Sequence, residues 1–243
     1  MLRQAISAAV DHDPHFHWRG DSVTRIENLS DIVFALALGM MVSASTPPET
    51  FTALQGHMIN IIPVAGAFAL LLSIWNSHFT FFRRYGLADA TIIGLNAALL
   101  LFILFIAYPL RFIFDSLFAF ILGQMGDWSR MEAMGVSTHR QAGIIMGWYF
   151  AGYVIIRTLM TIMYAHALSK ADVLSLTPSE KVITRRSIWF GVCAVLVSSI
   201  AGAASAFSEA GPWAGFLLTL LLFTGALIDR LKPLPSPEPD SSL

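Results

Sequence analysis

Apolar residues along this chain gather into long unbroken runs separated by short polar segments. A helix needs about 20 residues to cross a hydrocarbon core of roughly 30 Å. Six runs approach that length: Ile32 to Thr46, Leu54 to Phe82, Ala90 to Leu122, Ala142 to Ala165, Ile188 to Phe207 and Pro212 to Ile228. The first reaches a full span only if the polar residues before it also enter the membrane. The third contains Pro109, which is expected to kink or divide it. The pattern predicts an all-α, polytopic transmembrane bundle of six spanning helices over residues 25–232. A cytoplasmic segment over 1–24 precedes it, and a disordered cytoplasmic tail over 233–243, rich in proline, serine and acid, follows.

Composition agrees, with 56% hydrophobic and 13% charged residues. The net charge of −1 gives no field for nucleic acid, and the basic residues fall in short clusters between the runs rather than on one stripe. Their placement sets the orientation, because short cytoplasmic loops retain lysine and arginine. With the N-terminus inside, Arg3, Arg19, Arg25, Arg83, Arg84, Lys170, Lys181, Arg185, Arg186, Arg230 and Lys232 face the cytoplasm, 11 of the 15 basic residues. Both termini are therefore expected in the cytoplasm, in the inner (plasma) membrane. The N-terminal apolar stretch, Ala5 to Val10, is too short for a signal-peptide core and reads as retained.

Polar groups at membrane depth are costly and are functional candidates by default. The first run is led by Arg25-Ile26-Glu27-Asn28-Leu29-Ser30-Asp31. Arg25 and Asp31 lie about 600° apart on a helix and cannot pair within it, so Asp31 needs a partner from elsewhere. Trp75-Asn76-Ser77-His78 stands near the end of the second run and Asn96 near the start of the third. At about 1.5 Å per residue, Asp31, His78 and Asn96 reach a similar depth, where an acid, an imidazole and an amide from three helices can satisfy one another. Such a cluster serves as a polar clamp or as part of gating or proton coupling. Arg157 lies well inside the fourth run, and either snorkels to the inner face or pairs with an acid such as Asp31. Ser198, Gly202 and Ala206, four residues apart, predict close helix packing in the fifth.

Other chemistry is thinly represented. His12, His15 and His17 alternate beside Asp11, Asp13 and Pro14, a segment in which we expect no metal site. Cys193 is the single cysteine and has no thiol to pair with. No mid-span lysine, phosphate loop, G-x-S-x-G elbow or H-E-x-x-H helix is present, so neither an enzyme nor a cofactor is predicted.

Three signatures together resemble a known family. Arg25-x-x-x-Leu29-Ser30-Asp31 resembles the R-x-x-x-F-S-D signature that opens the first helix of the endosomal/lysosomal potassium channel family and its prokaryotic relatives, with Leu29 in place of the phenylalanine. Trp75-x-x-His78-x-x-x-Phe82 is similar to that family's motif at the end of helix two. Leu95-Asn96 with Tyr108-Pro109 resembles its helix three, and the likeness spans residues 22 to 115. The resemblance implies a potassium-permeable channel without a re-entrant pore loop, and the sequence indeed holds no T-V-G-Y-G filter. The signature occurs once, which implies a homotetramer whose first helices line a central path. Arg25, Leu29, Ser30, Asp31, Trp75, His78 and Asn96 would hold that helix. The family's narrowest hydrophobic ring, five residues past the aspartate, corresponds to Leu36. Helical periodicity then adds Met40 and Ser43 to the same face. Competing readings are a proton-leak path through Asp31 and His78, or a non-conducting scaffold or intramembrane enzyme.

Overall fold

The computed structural model describes residues 16–20, 22–43, 47–208, 213–214, 217 and 220–231. Every regular element among them is helical: α1 (Arg25–Ser43), α2 (Phe51–Ile59), α3 (Ile61–Tyr85), α4 (Ala90–Gln124), α5 (Ser129–Ala133), α6 (His139–Ser169), α7 (Pro178–Phe207) and α8 (Leu220–Leu231). Five segments are long and apolar enough to cross a membrane: Arg25–Ser43, Phe51–Tyr85, Ala90–Ala107, His139–Ser169 and Pro178–Phe207. Three of the expected spans thus recur with longer ends, the third recurs as the shorter Ala90–Ala107, and the first gains its length by starting at Arg25, polar residues included. The sixth, expected over Pro212 to Ile228, falls in part on residues outside the described set, and the helix described there is α8, of 12 residues. His12, His15 and the tail over 233–243 also lie outside that set.

Local chemistry accounts for the helix limits. Thr138 and Thr177 each form a reciprocal capping box, with Gln141 and Glu180 respectively, at the starts of α6 and α7. Asp89 caps α4, accepting from the Ile92 amide at 2.9 Å, and also accepts from His166 Nε2 at 2.7 Å. The His166 bond, then the Ile92 bond, hold the Asp89 carboxyl below its ordinary value. Its contribution is therefore complete above the usual carboxylate range and lost as pH falls through the lowered value, so the α4–α6 link persists at neutral pH. Gly86 ends α3 in the left-handed region at φ 59°, where a side chain would be strained. Pro109 does not divide α4, which continues as one helix from Ala90 to Gln124. In a membrane bundle, neighbouring helices can re-satisfy the carbonyl that a proline frees.

α6 and α7 pack most closely, and the predicted small-residue face supplies the reason. A Cβ on Gly202 would stand 2.8 Å from Phe150 Cβ, and one on Gly147 would stand 2.9 Å from Ala206 Cβ. The main core lies between α1, α3, α4 and α6 and includes Phe34, Leu71, Phe81, Phe82, Leu99, Ile103 and Met163.

At the end of the bundle where α3 and α6 finish and α7 begins, residues 16–20 bind the helix ends together. Phe16 is buried edge-on against Tyr85, with ring centroids 5.4 Å apart. Arg19 reaches both oxygens of the buried Glu180, at 2.9 and 2.7 Å, and donates to the Leu174 carbonyl. The amides of Arg19 and Gly20 both donate to the Arg83 carbonyl at 3.1 Å. Gly20 sits so near α3 that a Cβ would lie 2.6 Å from the Phe82 oxygen and 3.2 Å from Arg83 Cα. Backbone atoms cannot yield as a side chain would, so Gly20→Val is expected to cost about 1–3 kcal/mol. Thermal unfolding in detergent checks this, and an unchanged midpoint would show the segment to be dispensable.

Candidate functional site

α1 begins with a device that the sequence reading passed over. Thr24-x-x-Glu27 is a capping box, in which Glu27 Oε1 accepts from the Thr24 amide at 3.0 Å and Thr24 Oγ1 accepts from the Glu27 amide at 3.3 Å. From there the helix divides lengthwise. Glu27, Ser30, Phe34, Ala37 and Met41 are buried, while Arg25, Leu29, Ile32, Leu36 and Ser43 are exposed and Met40 is half-exposed. At about 100° per residue, each set falls on one side of the cylinder. Leu36 is 53% exposed and Leu29 55%, so about half of each residue's surface is left uncovered by the described residues of the subunit.

The buried side is held at two levels. At the level of Ser30, Asn96 Nδ2 donates to Ser30 Oγ at 3.0 Å, Ser30 Oγ donates to the Ile26 carbonyl at 2.8 Å, and Asn96 Oδ1 bonds His78 Nε2 at 2.8 Å. Ser30, His78 and Asn96 are all buried, and Phe34 lies against the His78 ring at 5.6 Å. The structure thus brings three of the predicted polar residues into one chain of bonds across α1, α3 and α4. Asp31 is not in it. Its Oδ1 accepts from Trp75 Nε1 at 2.8 Å on the exposed flank, and Trp75 stacks on Phe79 at 5.6 Å. One residue turns a helix by about 100°, so Ser30 faces α4 while Asp31 is carried round to α3.

The second level was missed. Arg111, buried on α4, donates through Nη1 to the carbonyls of Met41 and Val42, both at 3.3 Å. These are among the terminal carbonyls of α1 that lack an intrahelical donor, and a cation there also meets the negative end of the helix dipole. Asp115 stands 3.7 Å from Arg111 and 3.3 Å from Arg130, and Arg130 donates to Asn60 at 2.5 Å. The available signal was Arg111-x-x-x-Asp115 inside an apolar run, a spacing that pairs opposite charges on one helix face.

Arg157 does not meet Asp31. It lies over the Phe190 ring, 5.4 Å from its centroid, and forms no ion pair among the described residues. Among the described residues no group of three potential metal ligands occurs, and the His17 amide donates to Glu180.

The site is thus a helix gripped along one side at two levels and bare along the other. The model of the family described as endosomal/lysosomal potassium channel TMEM175 matches residues 25–107, the stretch that contains Ser30, Asp31, Trp75, His78 and Asn96. A protein of Marivirga tractuosa described as a potassium channel is 35% identical over 224 residues, covering 90% of this chain and 88% of its own length. This chain belongs to the TMEM175 family. The crystal structure of a variant of the potassium channel MtTMEM175, bound to a nanobody fusion, superposes with a TM-score of 0.78 at 33% identity, over 90% of this chain and 97% of that one. A Chamaesiphon minutus homologue of the lysosomal potassium-selective channel TMEM175 shares the fold at 17% identity and a TM-score of 0.51, over 84% of this chain and 97% of that one. TMEM175 proteins are potassium channels and not enzymes, and the all-helical, multi-pass architecture of this chain is theirs.

Proposed function

We propose that this chain conducts potassium across the bacterial plasma membrane as a homotetramer, with α1 of each subunit lining a central path and both termini in the cytoplasm. The division of α1 carries this reading. A helix that gives one side to its own subunit and leaves Leu29, Ile32, Leu36 and Ser43 bare is suited to face an axis shared with its copies. Four Leu36 side chains at that axis form an apolar constriction, which passes an ion only after it sheds part of its water. Met40 and then Ser43 follow towards the outer mouth, and the small hydroxyl of Ser43 leaves that mouth wider and wetter. Arg25 lies at the inner mouth on the same face. Ser30, Asn96 and His78 fix the depth and rotation of α1 near its start, and Arg111 fixes its far end. Trp75, bonded to Asp31, braces the flank between neighbouring faces.

The reading is tested by mass measurement and flux on one preparation. Detergent-solubilised protein is expected at four times the mass of the subunit, and liposomes containing it should dissipate a potassium gradient. A stable monomer that conducts would overturn the assembly. Proton flux under a pH step with no potassium flux would overturn the choice of ion.

A further inference from the structure

Arg111, which holds the last carbonyls of α1, brings a positive charge to the place where the proposed path opens. Its height follows from the helices. Arg111 stands 21 residues after Ala90 on α4, ~31 Å along the axis, and α1 rises ~27 Å from Arg25 to Ser43. Both counts put the guanidinium at the membrane face opposite Ala90 and Arg25, across a hydrocarbon core of about 30 Å. A helix with its side chains is about 10 Å across, so this charge lies roughly 10 Å from the bare side of α1. A positive ring at that distance opposes the entry of a cation.

Asp115 stands between two guanidiniums, 3.7 Å from Arg111 and 3.3 Å from Arg130. Each arginine has other contacts that hold its place. Arg111 donates to the carbonyls of Met41 and Val42, while Arg130 donates to Asn60 and lies over the Phe118 ring, 5.1 Å from its centroid. What the carboxylate adds to this geometry is chiefly its charge. Glu49, six residues past Ser43, and Glu132, two past Arg130, are exposed to solvent, where ions screen them. The Asp115 side chain is only 19% exposed and is screened less.

We propose that Asp115 governs cation entry at the Ser43 end of the path by offsetting the field of Arg111 and Arg130. Arg111 closes the end of α1, and its charge stands beside every ion that passes there. Four subunits bring four such carboxylates round one axis, so a small effect in each becomes a large one together. The inference rests on the reading of α1 as the lining helix of a tetrameric channel.

Single-channel currents of the full-length protein in planar bilayers test it, since they count only folded channels. Asp115→Asn keeps the size and an acceptor oxygen and removes one negative charge per subunit. Four charges at roughly 10 Å should lower potassium current entering from the Ser43 end about fivefold in ~10 mM salt, and hardly at all in ~1 M, where the Debye length is about 3 Å. Current entering from the other end should change less, so the variant is expected to rectify at low salt. Arg130→Gln keeps a donor for Asn60 and removes a positive charge, and should raise the same low-salt current by a similar factor. The two variants move in opposite directions, which damage to the fold would not produce, and either one suffices if the other folds poorly. Asp115→Glu, which keeps the charge, should behave as the parent does. Unchanged low-salt currents in the charge variants, or a loss as large at ~1 M as at ~10 mM, would overturn the role of Asp115. Should Leu36→Ser still alter the current in the same bilayers, α1 lines the path and this inference alone has failed. A parent that carries no potassium current would overturn the channel reading, and this inference with it.

Discussion

Leu36→Ser is expected to raise cation flux per reconstituted channel by roughly tenfold and to weaken discrimination between potassium and sodium, since about 1.4 kcal/mol off a barrier is tenfold in rate. An apolar ring resists an ion because nothing in it replaces the water the ion must shed, and four hydroxyls let the constriction hydrate. Hydration also removes the step at which two alkali cations differ most, their partial stripping. Leu38 provides the control. It lies about 200° round the helix from Leu36 and packs against core residues, whereas Leu36 is exposed. Leu38→Ser should therefore lower stability and leave flux per folded channel nearly unchanged. Potassium and sodium flux at matched protein density decides the matter. A larger flux change at Leu38 would mean that the other side of α1 meets the ions.

Asn96→Ala is expected to destabilise the protein more than Asp31→Ala. Asn96 bonds two buried groups, Ser30 Oγ and His78 Nε2, and its removal leaves both without that partner at about 1–3 kcal/mol each. Asp31 is exposed and, among the described residues, makes one bond, to Trp75, so its loss is expected to cost about 1 kcal/mol or less. Thermal midpoints of the two variants in detergent, each against the parent, give the comparison. Equal losses would mean that Asp31 holds α1 as firmly as the buried chain does.

The contrast between these two residues marks how far the sequence could be read. Counting residues from the helix ends placed Asp31, His78 and Asn96 at one depth, and His78 and Asn96 are indeed bonded. Depth carries no rotation, however, and a single step from Asp31 to Ser30 decides which side chain faces α4. The capping box of Thr24 and Glu27 is legible as Thr-x-x-Glu ahead of an apolar run, one residue outside the motif that starts at Arg25. Arg111 was hidden for a different reason. In the run Ala90 to Leu122, the spacing Arg111-x-x-x-Asp115 announces a charge pair on one helix face but not which helix end the arginine meets. Its actual task, holding the last carbonyls of α1, depends on a helix seventy residues earlier in the chain. The packing of α6 on α7 needed no such long-range knowledge, since small residues every fourth position announce close approach wherever the partner comes from.

The separation of holding and bare sides on α1 has a consequence for how such proteins diversify. Substitutions at Leu29, Ile32, Leu36 or Ser43 touch no buried bond of the subunit, so the fold charges almost nothing for them. On the proposed arrangement, mutation can therefore explore the lining of the path while Ser30, Asn96, His78 and Arg111 keep the helix where it is. A lineage built this way can pass from one ion preference to another through single changes, each of them a folded protein.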